Sequence, residues 1–269
     1  MASAISKLSL SRGRPRPLWL DIAMETVILL SVYAIYSMSR GSIDAKSATA
    51  FDHARHLIDL EKTLGIFAEK DIQSFFLETS WLTHFANVLY TICYYPAVIG
   101  FAIWAYWRHR PKYRFIRTVF IISAALAFIV FALYPMAPPR FFDGQEPGAP
   151  NLGFVDTIAE HWHVNESTDQ SSYNPFAAMP SLHQGWTLMI GVGIIWMNRS
   201  RLAKAIGILL PIAMFIGITA TANHFILDAV GGAIVIAIAF GLAALVFKWL
   251  GKPIPKEEPP RETQPSTDA

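Results

Sequence analysis

Charge is scarce in this 269-residue chain: Asp, Glu, Lys and Arg make up 16%, against 53% hydrophobic residues and a mean hydropathy of +0.36. Soluble domains carry about a quarter charged residues, so the composition excludes an ordinary water-soluble globule and points to lipid. Cysteine is nearly absent. The single Cys93 lies in an apolar run, which excludes an intrachain disulfide framework and a cysteine-based metal site. A large charge of one sign is also missing, and a net +2 gives no reason to expect nucleic acid as a partner. A cleavable signal is lacking too: the apolar stretch after Lys7, Arg12, Arg14 and Arg16 runs on too far for a signal core and reads as a retained first span.

What the chain does contain is long apolar runs. A helix needs roughly 20 mainly apolar residues to cross a hydrocarbon core about 30 Å thick, and six segments approach that length: 18–38, 81–107, 115–134, 182–198, 202–222 and 225–250. The expected fold class is an all-α membrane protein, a six-transmembrane-helix bundle. Pro96 and Pro211 fall inside spans and mark potential kinks. Lys and Arg collect before the first span, in Arg108–Arg117, in Arg199–Lys204 and after the last span, 16 of the 22 in all. The other six share the alternate loops with thirteen acidic residues, so both termini are expected to be cytoplasmic.

Between the first two spans, Phe51, Ala54, Leu57, Ile58 and Leu64 recur at helical spacing beside Asp52, His53, Arg55, Asp59 and Glu61. This predicts an amphipathic helix ended by Gly65, lying along the outer membrane surface or packed on the bundle. The tail from Gly251, with Pro253, Pro255, Pro259, Pro260 and Pro265 among charges, cannot bury enough apolar surface to fold. Three regions follow: a basic cytoplasmic tail over 1–17, a membrane-embedded catalytic domain over 18–250 and a disordered cytoplasmic tail over 251–269.

Three motifs converge on the non-cytoplasmic ends of neighbouring spans. Tyr134-Pro135-Met136-Ala137-Pro138-Pro139-Arg140 closes the third span, and Arg140 is the sole basic residue of the long loop that follows. Its permanently charged fork suits phosphate oxygens, although an interfacial anchor is equally served by it. Asn174-Pro175-Phe176-Ala177-Ala178-Met179-Pro180-Ser181-Leu182-His183 enters the fourth span, with Ser181 as a cap, free N–H groups suited to an anion, and His183 on the first turn. In Asn223-His224-Phe225-Ile226-Leu227-Asp228 the i, i+4 spacing brings Asp228 to the His224 ring. A carboxylate supporting an imidazole is what a nucleophilic or general-base histidine needs, while a structural His–Asp staple is the plainer alternative.

On these residues, over roughly 80–250, the chain resembles the phosphatidic acid phosphatase type 2 superfamily. That pattern has a Lys and, seven residues later, Arg-Pro; then Pro-Ser-Gly-His; then Ser-Arg with His six residues on and Asp at i+4. Arg140 matches, but Leu133 stands at the Lys position and Phe141 at the Pro position. Pro180-Ser181-Leu182-His183 matches with Leu for Gly, and His224 and Asp228 match with Gly217 and Ile218 in place of Ser-Arg. The Pro-Ser-Leu-His form looks more like the inositol phosphotransferase and sphingomyelin synthase branches.

The resemblance implies in-line attack by His224 on phosphorus, with Asp228 orienting the ring and a phosphohistidine as intermediate. Arg140 and N–H groups near Ser181 would bind the phosphate, and His183 would protonate the leaving alcohol. Water or a hydroxyl acceptor would then complete hydrolysis or headgroup transfer, with no metal and no organic cofactor. The substrate is expected to be a lipid phosphate ester, with a phosphodiester donor as the first reading and phosphatidate or a polyprenyl diphosphate as the alternative. Asn174 and Asn223 offer further contacts to it, or ordinary caps. A proton-coupled transporter or flippase is the rival of another class, though no internal repeat is evident. Oligomeric state leaves no mark on the sequence.

Other polar residues read more plainly. Asp21 and Glu25 lie on one face at the inner end of the first span, where pairing with basic loops suffices. His161 and His163 lack further ligands at metal spacing. Val155, Ile158, Ala159 and Trp162 predict a short amphipathic helix in the loop from Phe141 to Tyr173, a lid suited to substrate selection.

The charge asymmetry is directly testable. In a Cys93→Ser background, a cysteine at Gly148 should react with a membrane-impermeant thiol reagent in intact cells, and one at His109 should not. The opposite labelling pattern would invert the topology.

Overall fold

A computed structural model describes residues 17–40, 47–144, 150–162 and 175–255, and these are helical apart from turns and one isolated bridge between Met136 and Ala177. Most of both predicted tails, together with Asn174 and His163, lies outside the described residues. The chain divides into two units, Met1–Met38 and Ser39–Ala269. The first holds most of α1, Leu18–Arg40, which coincides closely with the expected first span.

The second unit contains α2 (Ser47–Leu64), α3 (Glu69–Leu77), α4 (Ser80–Asn87), a π-helical turn over Val88–Cys93, α5 (Tyr94–Arg108) and α6 (Arg110–Leu133). A 3-10 turn over Pro139–Phe141, α7 (Thr157–Trp162), α8 (Leu182–Met197), α9 (Arg201–Ala220) and α10 (Ile226–Trp249) follow. Among the described residues, four runs are long and apolar enough to cross a membrane: Ser80–Arg108, Arg110–Leu133, Arg201–Ala220 and Ile226–Trp249. Six were expected. Neither α8, which has only 16 residues, about 24 Å at 1.5 Å per residue, nor α1 is among the four. The four expose Ile99, Ile103, Ile129, Leu209, Ile212 and Ile234, as lipid-facing surfaces do.

The π-helical turn was not expected, and Pro96 supplies its reason. A proline ring clashes with the carbonyl four residues back and removes a ladder donor, and a wider turn ending at Cys93 relieves that strain. Pro211 sits buried inside α9.

Glycines let the helices of the bundle approach closely. A Cβ on Gly191 of α8 would lie 2.2 Å from the Gly207 carbonyl oxygen of α9, and one on Gly232 of α10 would lie 2.2 Å from the Ser181 carbonyl oxygen. Packing between backbones is how helices associate where lipid removes the hydrophobic drive. It fixes α8, which starts at the second motif, against α10, which carries the third. Basic residues Arg108, Arg110, Lys112, Arg199, Arg201, Lys204 and Lys248 mark the opposite helix ends.

At the end bearing the motifs, the apolar stripe of α2 is covered by protein. Ala50, Phe51, Ala54, Leu57 and Ile58 are buried with Met136, Phe142, Phe154, Ala178 and Phe225. Of the two placements open to this helix, the structure takes packing on the bundle. The Ala137 N–H donates to the Ala50 carbonyl at 3.2 Å, and His53 Nδ1 donates to the Pro135 carbonyl at 2.8 Å while stacking on Tyr134.

Candidate active site

Four elements meet around His224. α9 ends in a turn in which Ala222 takes a left-handed φ of 53°, and the Asn223 and His224 N–H groups both donate back to the Ile218 carbonyl. The imidazole thereby leaves the helix axis and is 5% exposed. Its Nδ1 lies 2.8 Å from the carbonyl oxygen of Ala178 in the second motif. A carbonyl only accepts, so Nδ1 carries the proton and Nε2 keeps its lone pair.

Asp228 is fully buried on the first turn of α10. Its Oδ2 lies 3.5 Å from His224 Nδ1 and accepts the Phe225 N–H at 2.9 Å. The i, i+4 spacing therefore brings the carboxylate to the ring, while the ring's hydrogen bond runs to Ala178. Asp228 supports the imidazole through charge and caps its own helix. The second and third motifs are tied again by the Ser181 N–H, which donates to the Asp228 carbonyl at 2.9 Å.

That bond narrows the choice of anion-binding groups near Ser181. The Ser181 N–H is engaged, and its Oγ accepts from the Gln184 N–H at 3.4 Å as the α8 cap. The N–H groups of Leu182 and His183 remain as first-turn donors without an acceptor inside the helix. His183 stands beside His224, with ring centroids 5.7 Å apart. It packs on Tyr90 at 4.4 Å and Tyr94 at 4.2 Å, one ring from the π-helical turn and one from the residue after it. Neither tyrosine was singled out from the sequence, although two Tyr at i, i+4 within an apolar run offer a polar tip that must find a partner.

Arg140 is 1% exposed. Its N–H donates to the Ala222 carbonyl at 2.9 Å, and its guanidinium donates through Nη1 to Asn223 Oδ1, next to His224. Asn223 in turn donates its amide to Thr221 Oγ1 at 2.8 Å. The Asn223 side chain thus holds Arg140 rather than facing outward toward a ligand. On its other side, Arg140 Nε lies 3.3 Å from Asp156 Oδ2. Asp156 was missed because its partner is sixteen positions away across a loop, a pairing without a local pattern.

The same loop covers the site. Asp156 Oδ1 accepts from the Ile158 and Ala159 N–H groups at 3.1 and 3.0 Å, starting α7, and Ile158 is buried with Tyr90, Tyr94, Met214 and Ile218. Gln73 exchanges two hydrogen bonds with the Val155 backbone, and Asn87 exchanges two with Thr157. Positions 133 and 218 contribute no charge: Leu133 is 76% exposed at the end of α6, and Ile218 is fully buried in the Tyr90–Tyr94 cluster. Among the described residues, no group of three His, Cys, Asp or Glu is arranged to hold a metal ion.

This arrangement places an imidazole with an available lone pair beside a second imidazole and near a buried guanidinium, suited to attack on an electrophile that carries negative charge. Compared with known proteins, residues 55–242 match the family described as the PAP2 superfamily. No curated protein and no solved structure matches the chain.

The Asp156 contacts predict the behaviour of the loop. Asp156→Ala removes both the cap of α7 and one partner of Arg140, and a lost cap costs about 1 kcal/mol. Amide exchange over 150–162 should accelerate roughly fivefold by hydrogen-exchange mass spectrometry, with α9 and α10 unchanged. Unchanged exchange in the loop would show that Asp156 does not hold it.

Proposed function

The chain belongs to the PAP2 superfamily, a family of enzymes acting on lipid phosphates, and on that premise we propose that it transfers a headgroup from a lipid phosphodiester through a phosphohistidine at His224. The observation that carries this reading is the 2.8 Å contact between His224 Nδ1 and the Ala178 carbonyl, which assigns the ring proton to Nδ1 and leaves Nε2 as the proposed nucleophile. In the proposed mechanism Nε2 attacks phosphorus, the bond to the leaving oxygen breaks in line, and His183 gives that oxygen a proton. Asp228, 3.5 Å from Nδ1, stabilises the positive charge that develops on the ring. Arg140 and the Leu182 and His183 N–H groups receive the phosphoryl oxygens. His183 then takes the proton of the incoming hydroxyl, whose oxygen displaces His224 from phosphorus.

Charge favours a diester. A phosphomonoester carries close to two negative charges at neutral pH and a diester one. The exposed Leu133 and the buried Ile218 offer no cation where the resemblance would put Lys and Arg. Each missing charge-assisted hydrogen bond is worth about 1.5–3 kcal/mol, on the order of tenfold to a hundredfold in affinity. In this reading α1 and α8 join the four long apolar helices to give six spans, residues 18–250 form the catalytic domain, both termini are cytoplasmic and the site faces the other side.

Purified protein in detergent micelles should be offered phosphatidylinositol, phosphatidylcholine, phosphatidate and a polyprenyl diphosphate, with products separated into free phosphate and transferred headgroup. Transfer from a diester should exceed phosphate release from phosphatidate by about tenfold or more, given the charge argument. A preference for phosphatidate that added hydroxyl acceptors leave unchanged would establish the phosphatase instead. Turnover of none would favour the transporter, which has no gradient to work against in micelles. The variant of choice is His224→Asn: alanine would strip a buried hydrogen bond and so destabilise the fold, whereas the Asn amide can still donate to Ala178. Turnover should vanish in it while the melting temperature holds.

A further inference from the structure

Two acids occupy positions where α2 and α3 are otherwise buried. On α2 the apolar stripe runs through Ala54, Leu57 and Ile58, and the next position on it is Glu61, 0% exposed; Glu69, at the start of α3, is also 0% exposed. Neither takes part in the mechanism above. Both reach the start of α10: Glu61 Oε1 accepts the Leu227 N–H at 2.7 Å, and Glu69 Oε1 accepts the Ile226 N–H at 2.7 Å. With Asp228 Oδ2 on the Phe225 N–H, three successive donors each receive a carboxylate oxygen. These are the N–H groups that a helix start leaves without partners.

The second oxygens make the arrangement unusual. Glu61 Oε2, Glu69 Oε2 and Asp228 Oδ1 are buried with no donor supplied by another group. Glu61 and Glu69 accept from adjacent N–H groups, which brings their carboxyls together, and a hydrogen bond between two carboxyls requires a proton. Three buried anions at one helix end would repel one another, and a shared proton relieves both the repulsion and the missing donor. The titratable groups acting on Glu61 are Glu69 from α3 and Asp228 from α10.

We propose that Glu61 and Glu69 are positioning residues for the reaction, a proton-sharing carboxyl pair that clamps the first residues of α10 and so sets Asp228 against His224. This rests on the assignment of His224 as the reacting group. Consistent with the geometry, burial first and then the hydrogen bond to Glu69 push the Glu61 carboxyl up to about 9 from an ordinary 4.5. The proton is therefore held at neutral pH and lost only when pH rises through about 9.

Two substitutions separate positioning from simple packing. Glu61→Leu keeps an apolar filler but accepts nothing from Leu227, and it should lower kcat at least tenfold with KM within about twofold, because the clamp acts on the reacting group and not on the lipid. Glu61→Gln still accepts from Leu227, still donates to Glu69 and cannot ionise. It should retain wild-type kcat at pH 7 and remove the loss of kcat that the wild type should show as pH rises through about 9. Identical alkaline limbs in wild type and Glu61→Gln, or full kcat in Glu61→Leu, would overturn the proposal.

A melting series decides the pair without reference to turnover. A carboxyl whose folded pKa is raised contributes stability that is complete below about 4.5 and gone once pH has risen through about 9, so the wild-type Tm should fall relative to Glu61→Gln across that window. Parallel Tm curves would refute the shared proton. Absence of turnover with diverging Tm curves would refute the functional assignment and leave the pair in place.

Discussion

The 2.8 Å hydrogen bond between the His224 imidazole and the Ala178 carbonyl is the interaction on which the site depends. It selects the tautomer, leaving Nε2 available, and it joins the turn after α9 to the strand-like segment before α8. That segment is held in place by others. Met136 pairs with it through the Phe176 carbonyl, Ser181 bonds to Asp228, and the Gly232 backbone meets Ser181 at a distance no side chain would allow. A shift of α8 against α10 would alter the tautomer-setting contact, and with it the ring nitrogen that the proposed reaction uses.

Buried charge sets the second constraint. Arg140, Asp228, Glu61 and Glu69 are all essentially buried, and an isolated buried charge is costly. Each is answered locally: Arg140 by Asn223 and Asp156, the acids by the start of α10. The positive end of α10 thus serves the carboxylates, and the cation of the site stands apart on the 3-10 turn at Arg140. In the proposed reaction the incoming phosphate shares that cation with Asp156, so substrate binding and the position of the covering loop are coupled through one guanidinium.

Much of this was legible in the sequence, for reasons that differ by element. Apolar runs bounded by clustered Lys and Arg placed the long helices within a few residues, because span length and loop charge are properties of composition. The stripe on α2 and the Val155–Trp162 periodicity gave two further helices, since helical period is local. The partners were not legible. Arg140 and Asn223 are 83 residues apart, and Glu61 and Leu227 are 166 apart; no local pattern announces such pairs. The Ala178 carbonyl is invisible in any sequence, because every residue has one. Glu61 was readable in principle: it continues the stripe of Ala54, Leu57 and Ile58, and an acid on a buried stripe demands a partner. The π-helical turn before Pro96 was read only as a potential kink, and with it went Tyr90 and Tyr94.

The central claim is a covalent bond between phosphorus and His224. Rapid acid-free quenching of the protein with a lipid donor labelled at phosphorus, followed by peptide mapping, tests it directly. The account predicts label on the peptide containing His224, stable to base, labile to acid, discharged by a hydroxyl acceptor and absent from His224→Asn. Turnover without any labelled histidine, or label on His183 instead, would contradict it.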